Sequence, residues 1–202
     1  MKQLALGFTI GLALGSLARA QDVIAENSRQ EAFVQGGSVR LMLASGEYKV
    51  SAGASDHVRV RWEPETPGDI GHIKDAKKIK VRLDVAGTVA TIKTDGPTKH
   101  VRFVIEIPAR SDLFLRMRAG DISIAGIEGN KDIHMTAGDL KVDVRPTAYS
   151  HVHASVTFGD LNARALGISK DGIGNSFDWN GTGAYTLHAS MLAGDLTLSP
   201  VN

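Results

Sequence analysis

The chain has 202 residues, 43% of them hydrophobic and 5% aromatic, with no cysteine and a formal net charge of +1. This length is enough for one domain with a buried core. The lack of cysteine excludes a disulfide framework, a thiol nucleophile and a cysteine-ligated zinc site, and the near-neutral charge argues against a general nucleic-acid binder. The many glycines and the short runs of Val, Ile and Thr favour β-structure with frequent turns.

Residues 1–20 have the features of a secretory signal peptide. Lys2 supplies a positive charge, residues 4–17 are apolar, and residues 18–20 (Ala-Arg-Ala) end in the small-x-small pattern that signal peptidases cleave. The apolar run is shorter than the roughly 20 residues that span a bilayer. We therefore predict cleavage before Gln21, export to the periplasm or cell surface, and no transmembrane segment in the mature chain.

The rest of the chain is predicted to form a short arm and one domain. Residues 21–37 show little periodicity and are expected to be a flexible N-terminal arm, whereas residues 38–202 are predicted to be a single all-β domain. Within 52–110, apolar and charged residues alternate, as in strands that have one buried face. Such a charged face could hold anionic polymers, although it is more commonly only solvated. Its basic residues are Arg59, Arg61, Lys78, Lys80, Arg82 and Arg102.

A short motif of glycine, an acidic residue and a large apolar residue occurs five times. Apolar residues stand three positions before and two positions after each glycine. These two positions are five residues apart, and in an uninterrupted strand an odd separation would point their side chains to opposite faces. Glycine accepts a positive φ, and an acidic side chain can bond backbone amides in a bend. Each copy is therefore predicted to form a strand, a corner and a second strand. The five pairs are Gly46 and Glu47, Gly120 and Asp121, Gly138 and Asp139, Gly159 and Asp160, and Gly194 and Asp195.

Units of this kind cannot bury an apolar face alone and are expected to stack. The second, third and fourth copies are separated by 18 and 21 residues, a spacing that suits one coil of a β-solenoid. The interval of 35 residues between Gly159 and Gly194 leaves room for an additional turn. We predict a single-domain β-solenoid or β-helix-like stack, with a two-sheet β-sandwich as the alternative, and self-association through an uncapped end.

The stretch 101–108 (Val-Arg-Phe-Val-Ile-Glu-Ile-Pro), followed by the Gly-Asp-Ile/Leu corners, resembles the bacterial putative-adhesin family of unknown-function domains. The resemblance covers about residues 38–201. It implies an exported cell-envelope domain of β-solenoid-like fold, without an established catalytic site.

The corner acids and three histidines are the candidates for metal binding. Acids stacked along one edge could present carboxylates to calcium, but one acid behind each glycine is sparse for a calcium-binding β-roll, so a role in shaping the corners is preferred. His153 and His188 stand at the same offset, six residues before their glycines, and His151 shares a strand face with His153. They are candidates for a transition-metal or pH-sensitive site, and the preferred interpretation is that they are exposed polar residues. No cofactor is predicted.

The segment around Phe177, Trp179 and Tyr185 is the candidate ligand loop, because aromatic side chains with polar neighbours can stack on sugars. The preferred alternative is a hairpin at Asn180 and Gly181 in which Trp179 covers the end of the stack. Since no catalytic motif is present, we predict a non-catalytic, adhesin-like binding or scaffolding module whose partner is an envelope or surface protein or a glycan. The alternatives are a glycan-directed hydrolase and a metal- or pH-responsive envelope sensor.

Overall fold

The computed structural model describes residues 27–54, 56–65, 78–96 and 100–201. The predicted signal peptide lies outside these residues. The prediction of an all-β fold is confirmed: the described chain forms fourteen strands of one open mixed sheet, with two short 3-10 helices and no α-helix among the described residues. Among the described residues there is no helix that could span a bilayer.

The strands are numbered in chain order. They are β1 Ser28–Ala32, β2 Ser38–Leu43, β3 Gly46–Ala52, β4 His57–Pro64, β5 Lys80–Ala86, β6 Val89–Asp95, β7 Val101–Ile107, β8 Asp112–Ala125, β9 Lys131–Val144, β10 Tyr149–Phe158, β11 Leu161–Ala163, β12 Ile168–Lys170, β13 Ile173–Asn180 and β14 Tyr185–Pro200. The 3-10 helices are Pro146–Ala148 and Arg164–Leu166.

The longest path of hydrogen-bonded strands runs β1-β4-β7-β3-β8-β9-β14-β10-β13. Strands β8, β9 and β14 are long, and each contains one of the motif glycines. Strand β9 lies between β8 and β14 and is parallel to both. The half of β8 that precedes its glycine pairs with β2, whereas the half that follows pairs with β3. Gly120 therefore marks a boundary between two sets of strand neighbours, whereas β9 keeps β8 and β14 as its neighbours on both sides of Gly138.

The five motif glycines form one row across the strands, in the order Gly46, Gly120, Gly138, Gly194 and Gly159. At Gly138 the φ is +115°, and an added Cβ would stand 2.0 Å from the carbonyl oxygen of Gly120. No side chain fits there, because the backbones of neighbouring strands meet at the row. We refer to this set of five residues as the glycine row.

The order of the strands in the sheet differs from their order along the chain in the C-terminal part. Strand β14 lies between β9 and β10 and is parallel to both, so Gly194 separates Gly138 from Gly159. The long interval after Gly159 contains β13, which runs antiparallel along the other side of β10. Asn180 and Gly181 consequently do not form the predicted hairpin, because β10 stands between β13 and β14.

The prediction of a flexible arm over 21–37 is also corrected where that segment is described. Residues Ser28–Ala32 form β1, which pairs antiparallel with β4, and the following Phe33 is buried in the core. The reason that periodicity failed is that β1 lies at the end of the sheet and exposes nearly all of its side chains. Backbone hydrogen bonds, rather than apolar burial, hold it there.

One hydrophobic core is shared by both halves of the long strands. Met117, Met135 and Met191 lie in register before the glycine row, and all are at least 95% buried. Ile122, Leu140 and Leu196 occupy the corresponding register after it and are also buried. The parity of the buried positions changes at each glycine, so that residues on both sides of the row reach the same core.

Candidate functional site

Polar side chains line the outer surface of the strand halves that precede the glycine row. Pairing of β9, β14, β10 and β13 places Asp132, His188, His153 and Asp178 in a single line across the four strands. His134 lies two residues further along β9, opposite Ser190. We call the surface formed by Asp132, His134, His151, His153, Asp178 and His188 the histidine face.

Asp132 is the centre of this arrangement. Its Oδ1 lies 2.8 Å from Nε2 of His134 and 3.4 Å from Nδ1 of His188, and its Oδ2 accepts a 2.9 Å hydrogen bond from Arg116. The second nitrogen of His134, Nδ1, lies 2.7 Å from Oγ of Ser190. One carboxylate thus serves two imidazoles and a guanidinium.

The surroundings of Asp132 favour its charged form. Partial burial alone would raise the pKa of this carboxyl, but the hydrogen bond and charge of Arg116, together with His134 and His188, outweigh it and hold the pKa below its usual value. Asp132 is therefore a carboxylate anion at neutral pH.

A second cluster of the same kind lies beside the first. His153 packs against His188 with ring centroids 5.2 Å apart, and its Nδ1 lies 2.9 Å from Asp178. His151 approaches the same carboxylate at 3.4 Å and Asn180 at 2.9 Å. The hydrogen bond from His153, supported by the charges of both histidines, outweighs desolvation and holds the pKa of Asp178 below its usual value.

The structure thus brings together the three histidines singled out in the sequence and adds residues that the sequence reasoning missed. Asp132, His134 and His188 are the one group of three or more potential metal ligands among the described residues, with ligand atoms within 4.8 Å of one another. A signal was present: Asp132, like His153 and His188, stands six residues before its glycine. Extending that offset to every copy of the motif would have found it.

The corner acids have a different environment. The Asp121 carboxylate accepts a hydrogen bond from the backbone N–H of Asp139 on the next strand, and Asp195 accepts one from Asp160 in the same way. Glu47 instead pairs with Arg102 at 2.8 Å. These three carboxylates therefore bond the protein itself.

The candidate aromatic loop is divided between strand and core. Phe177 is 93% buried on β13, and Tyr185 begins β14 and packs edge-on against Tyr149. Trp179 packs against the core and over Gly181. Phe177 is consequently not available for stacking on a sugar, and the three side chains do not form one exposed platform.

The basic positions of the predicted charged face are largely paired on β4 and β7. Arg59 and Arg61 both reach Glu106, at 3.6 and 3.3 Å, and Arg102 reaches Glu47. An open trough of about 450 Å³ lies beside the latter pair and is lined mainly by charged residues. Its charges are mixed, as Lys49, Lys141 and Asp139 also line it, so it does not favour a ligand of one sign.

The sequence matches no protein-family model and no curated protein. Its fold is similar to the crystal structure of a protein described as a "putative cell adhesion protein" from Clostridium sporogenes ATCC 15579. The two share 10% sequence identity with a TM-score of 0.51, over 86% of this chain and 98% of the other. At this identity the likeness concerns the fold.

Proposed function

We propose that this chain is an exported, non-catalytic cell-envelope protein that acts as an adhesin-like binding or scaffolding module. The observation that carries the proposal is the histidine face: a broad surface in which polar side chains of four neighbouring strands stand in register. A partner protein or glycan could be bound across such a face by many hydrogen bonds. The fold likeness to a protein described as adhesive agrees with this function.

We also propose that the chain is related to the bacterial putative-adhesin family and that its strands stack in a solenoid-like way. In support, the motif glycines of β3, β8, β9 and β14 lie in register along consecutive parallel strands. Because β14 lies between β9 and β10, the proposed stack would differ from a simple sequential coil.

The alternative of a glycan-directed hydrolase requires two carboxyl groups that face a bound sugar. Asp121 and Asp195 at the corners are hydrogen-bonded to backbone amides, and Asp132 and Asp178 are bonded to histidines. These contacts favour binding over hydrolysis.

Two matched variants test the proposal. Ser155→Arg places a long charged side chain on the histidine face, whereas Ser123→Arg makes the same change after the glycine row, and both serines are half-buried. The exported protein is applied to a glycan array and to envelope fractions of the producing cells. We expect saturable binding that Ser155→Arg weakens at least tenfold and Ser123→Arg leaves unchanged, with the bound glycans unaltered in mass. Cleaved glycans, or equal effects of the two variants, would contradict the proposal.

Self-association is proposed through β13, which ends the main strand path. An edge strand offers unpaired backbone groups to a second chain. Sedimentation analysis is expected to show a dimer that Ser176→Pro abolishes; a monomer at all concentrations would rule out this mode of association.

A further inference from the structure

We propose that Asp132, His134 and His188 form a binding site for a divalent transition-metal ion, with Zn²⁺ as the test ion. The inference goes beyond the proposed adhesive function and holds whether or not the histidine face binds a partner. Imidazole nitrogens and a carboxylate oxygen are ligands that zinc and its first-row neighbours prefer.

The backbone places the three ligands. Asp132 and His134 are two residues apart on β9 and point to the same side of the sheet. His188 is the direct register partner of Asp132 on the parallel strand β14. All three belong to paired strands in the interior of the sheet, so the site is held by regular hydrogen bonding rather than by a loop.

The distances are close to those that a shared ion requires. Bonds of 2.0–2.1 Å in tetrahedral geometry place ligand atoms about 3.3 Å apart. The Asp132 Oδ1 atom lies 2.8 Å from His134 Nε2 and 3.4 Å from His188 Nδ1. The side chains of Asp132, His134 and His188 are 32%, 39% and 44% exposed, respectively, so an ion could enter from solvent and small rotations could accommodate it.

Groups around the ligands are suited to orient them. Arg116 holds Oδ2 of Asp132 and leaves Oδ1 directed at the imidazoles. Ser190 can donate its hydroxyl proton to Nδ1 of His134 when Nε2–H bonds Asp132, and can accept Nδ1–H when Nε2 binds an ion. Such a partner for the second ring nitrogen is typical of histidines that bind metals.

Three protein ligands leave at least one coordination position for water or for a donor atom of another molecule. His153 stands beside His188 but is itself bonded to Asp178, and it is not counted among the ligands. The site is therefore of the open kind.

Zinc titration of the purified protein, monitored by competition with a chelating dye, tests the assignment. We expect one Zn²⁺ per chain, with affinity reduced more than tenfold in His134→Gln and in His188→Gln. His57→Gln is the matched control, because His57 has a neighbouring carboxylate, Asp56 at 2.7 Å, but lies on β4 away from the site. It should bind zinc as the unaltered protein does.

Cobalt supplies a readout that does not depend on stability. Co²⁺ bound by nitrogen and oxygen ligands should give visible absorption bands that disappear in His188→Gln, while the far-ultraviolet circular dichroism of the variant stays unchanged. The assignment is overturned if the protein binds no stoichiometric zinc, or if the His134 and His188 variants bind as tightly as the His57 control. The two proposals fail separately. If His188→Gln loses zinc binding but still binds glycans, the metal assignment stands independently of the adhesive function. If the unaltered protein binds glycans but no zinc, only the metal assignment is overturned.

Discussion

The strand halves before and after the glycine row share one core but have very different surfaces. Before the row, imidazoles converge on Asp132 and Asp178. On the strands after it, Arg102 meets Glu47, and Arg59 and Arg61 meet Glu106 in exposed ion pairs. Guanidinium groups keep their charge throughout the accessible pH range, whereas neutral imidazoles can bind metals. The difference shows that the repeated backbone fixes spacing, while the residues at the outward positions decide the chemistry.

The largest expected loss of stability comes from a substitution in the glycine row, which both strand halves share. Gly138→Ala would place a Cβ 2.0 Å from the Gly120 carbonyl oxygen at a φ of +115°. The matched control is Gly172→Ala, at a φ of +106° with nothing within 4 Å of the added atom. We expect Gly138→Ala to lower the free energy of unfolding by about 3 kcal/mol or more, and Gly172→Ala by about 1–2 kcal/mol.

Urea denaturation of both variants measures these losses. Similar losses at the two positions would mean that backbone strain alone matters, and that the close contact across the glycine row does not constrain the strands.

A buried lysine before the row gives the next largest effect. Lys131 is 98% buried and donates hydrogen bonds to Ile127 O, Gly129 O and the hydroxyl of Tyr149. Desolvation lowers its pKa to about 8, against weaker opposing effects of Glu128 and Asp112. Below pH 8 the Lys131 amine is charged in both the folded and the unfolded protein, so the full free-energy cost of burying the charge opposes folding.

Between about pH 8 and pH 10.4 the unfolded chain binds more protons at this position than the folded one, so stability increases with pH. Relative to Lys131→Met, which lacks the titrating group, the unaltered protein should gain up to about 3 kcal/mol over this interval. Chemical denaturation at a series of pH values measures the gain. Parallel stability curves for the two proteins would show that the amine is not desolvated.

The smallest effect is expected after the row. Arg102 and Glu47 are each more than two-fifths exposed, so Arg102→Ala should cost no more than about 1 kcal/mol, and the coupling between them should weaken at high salt. A double-mutant cycle with Glu47→Gln isolates this coupling. A coupling free energy above about 2 kcal/mol would contradict the interpretation of Arg102 and Glu47 as an ordinary exposed ion pair.

Periodicity was sufficient to predict the local structure but not the strand order. The alternation of apolar residues and the parity change at each Gly-acid pair indicate strands and their buried faces, because side-chain direction depends on neighbouring residues alone. The position of β14 between β9 and β10 depends on pairing between strands distant in sequence. No spacing within residues 159–194 specifies that choice.

The candidate site could be predicted only in part, because local periodicity describes some of its contacts and not others. The adjacency of His153 and His188 follows from their common offset of six residues. The convergence of His134 on Asp132 depends on side-chain rotamers and on Arg116 from β8, which periodicity does not describe. Lys131 likewise occupies a core position that its residue type would assign to the surface.

Anomalous diffraction at the zinc absorption edge, from crystals of the protein grown with one equivalent of Zn²⁺, tests most directly whether the surface before the glycine row is specialised for ligand binding. We expect one peak about 2.0–2.1 Å from Oδ1 of Asp132, Nε2 of His134 and Nδ1 of His188. A peak at the corner acids instead, or none on the histidine face, would mean that this surface does not bind the ion.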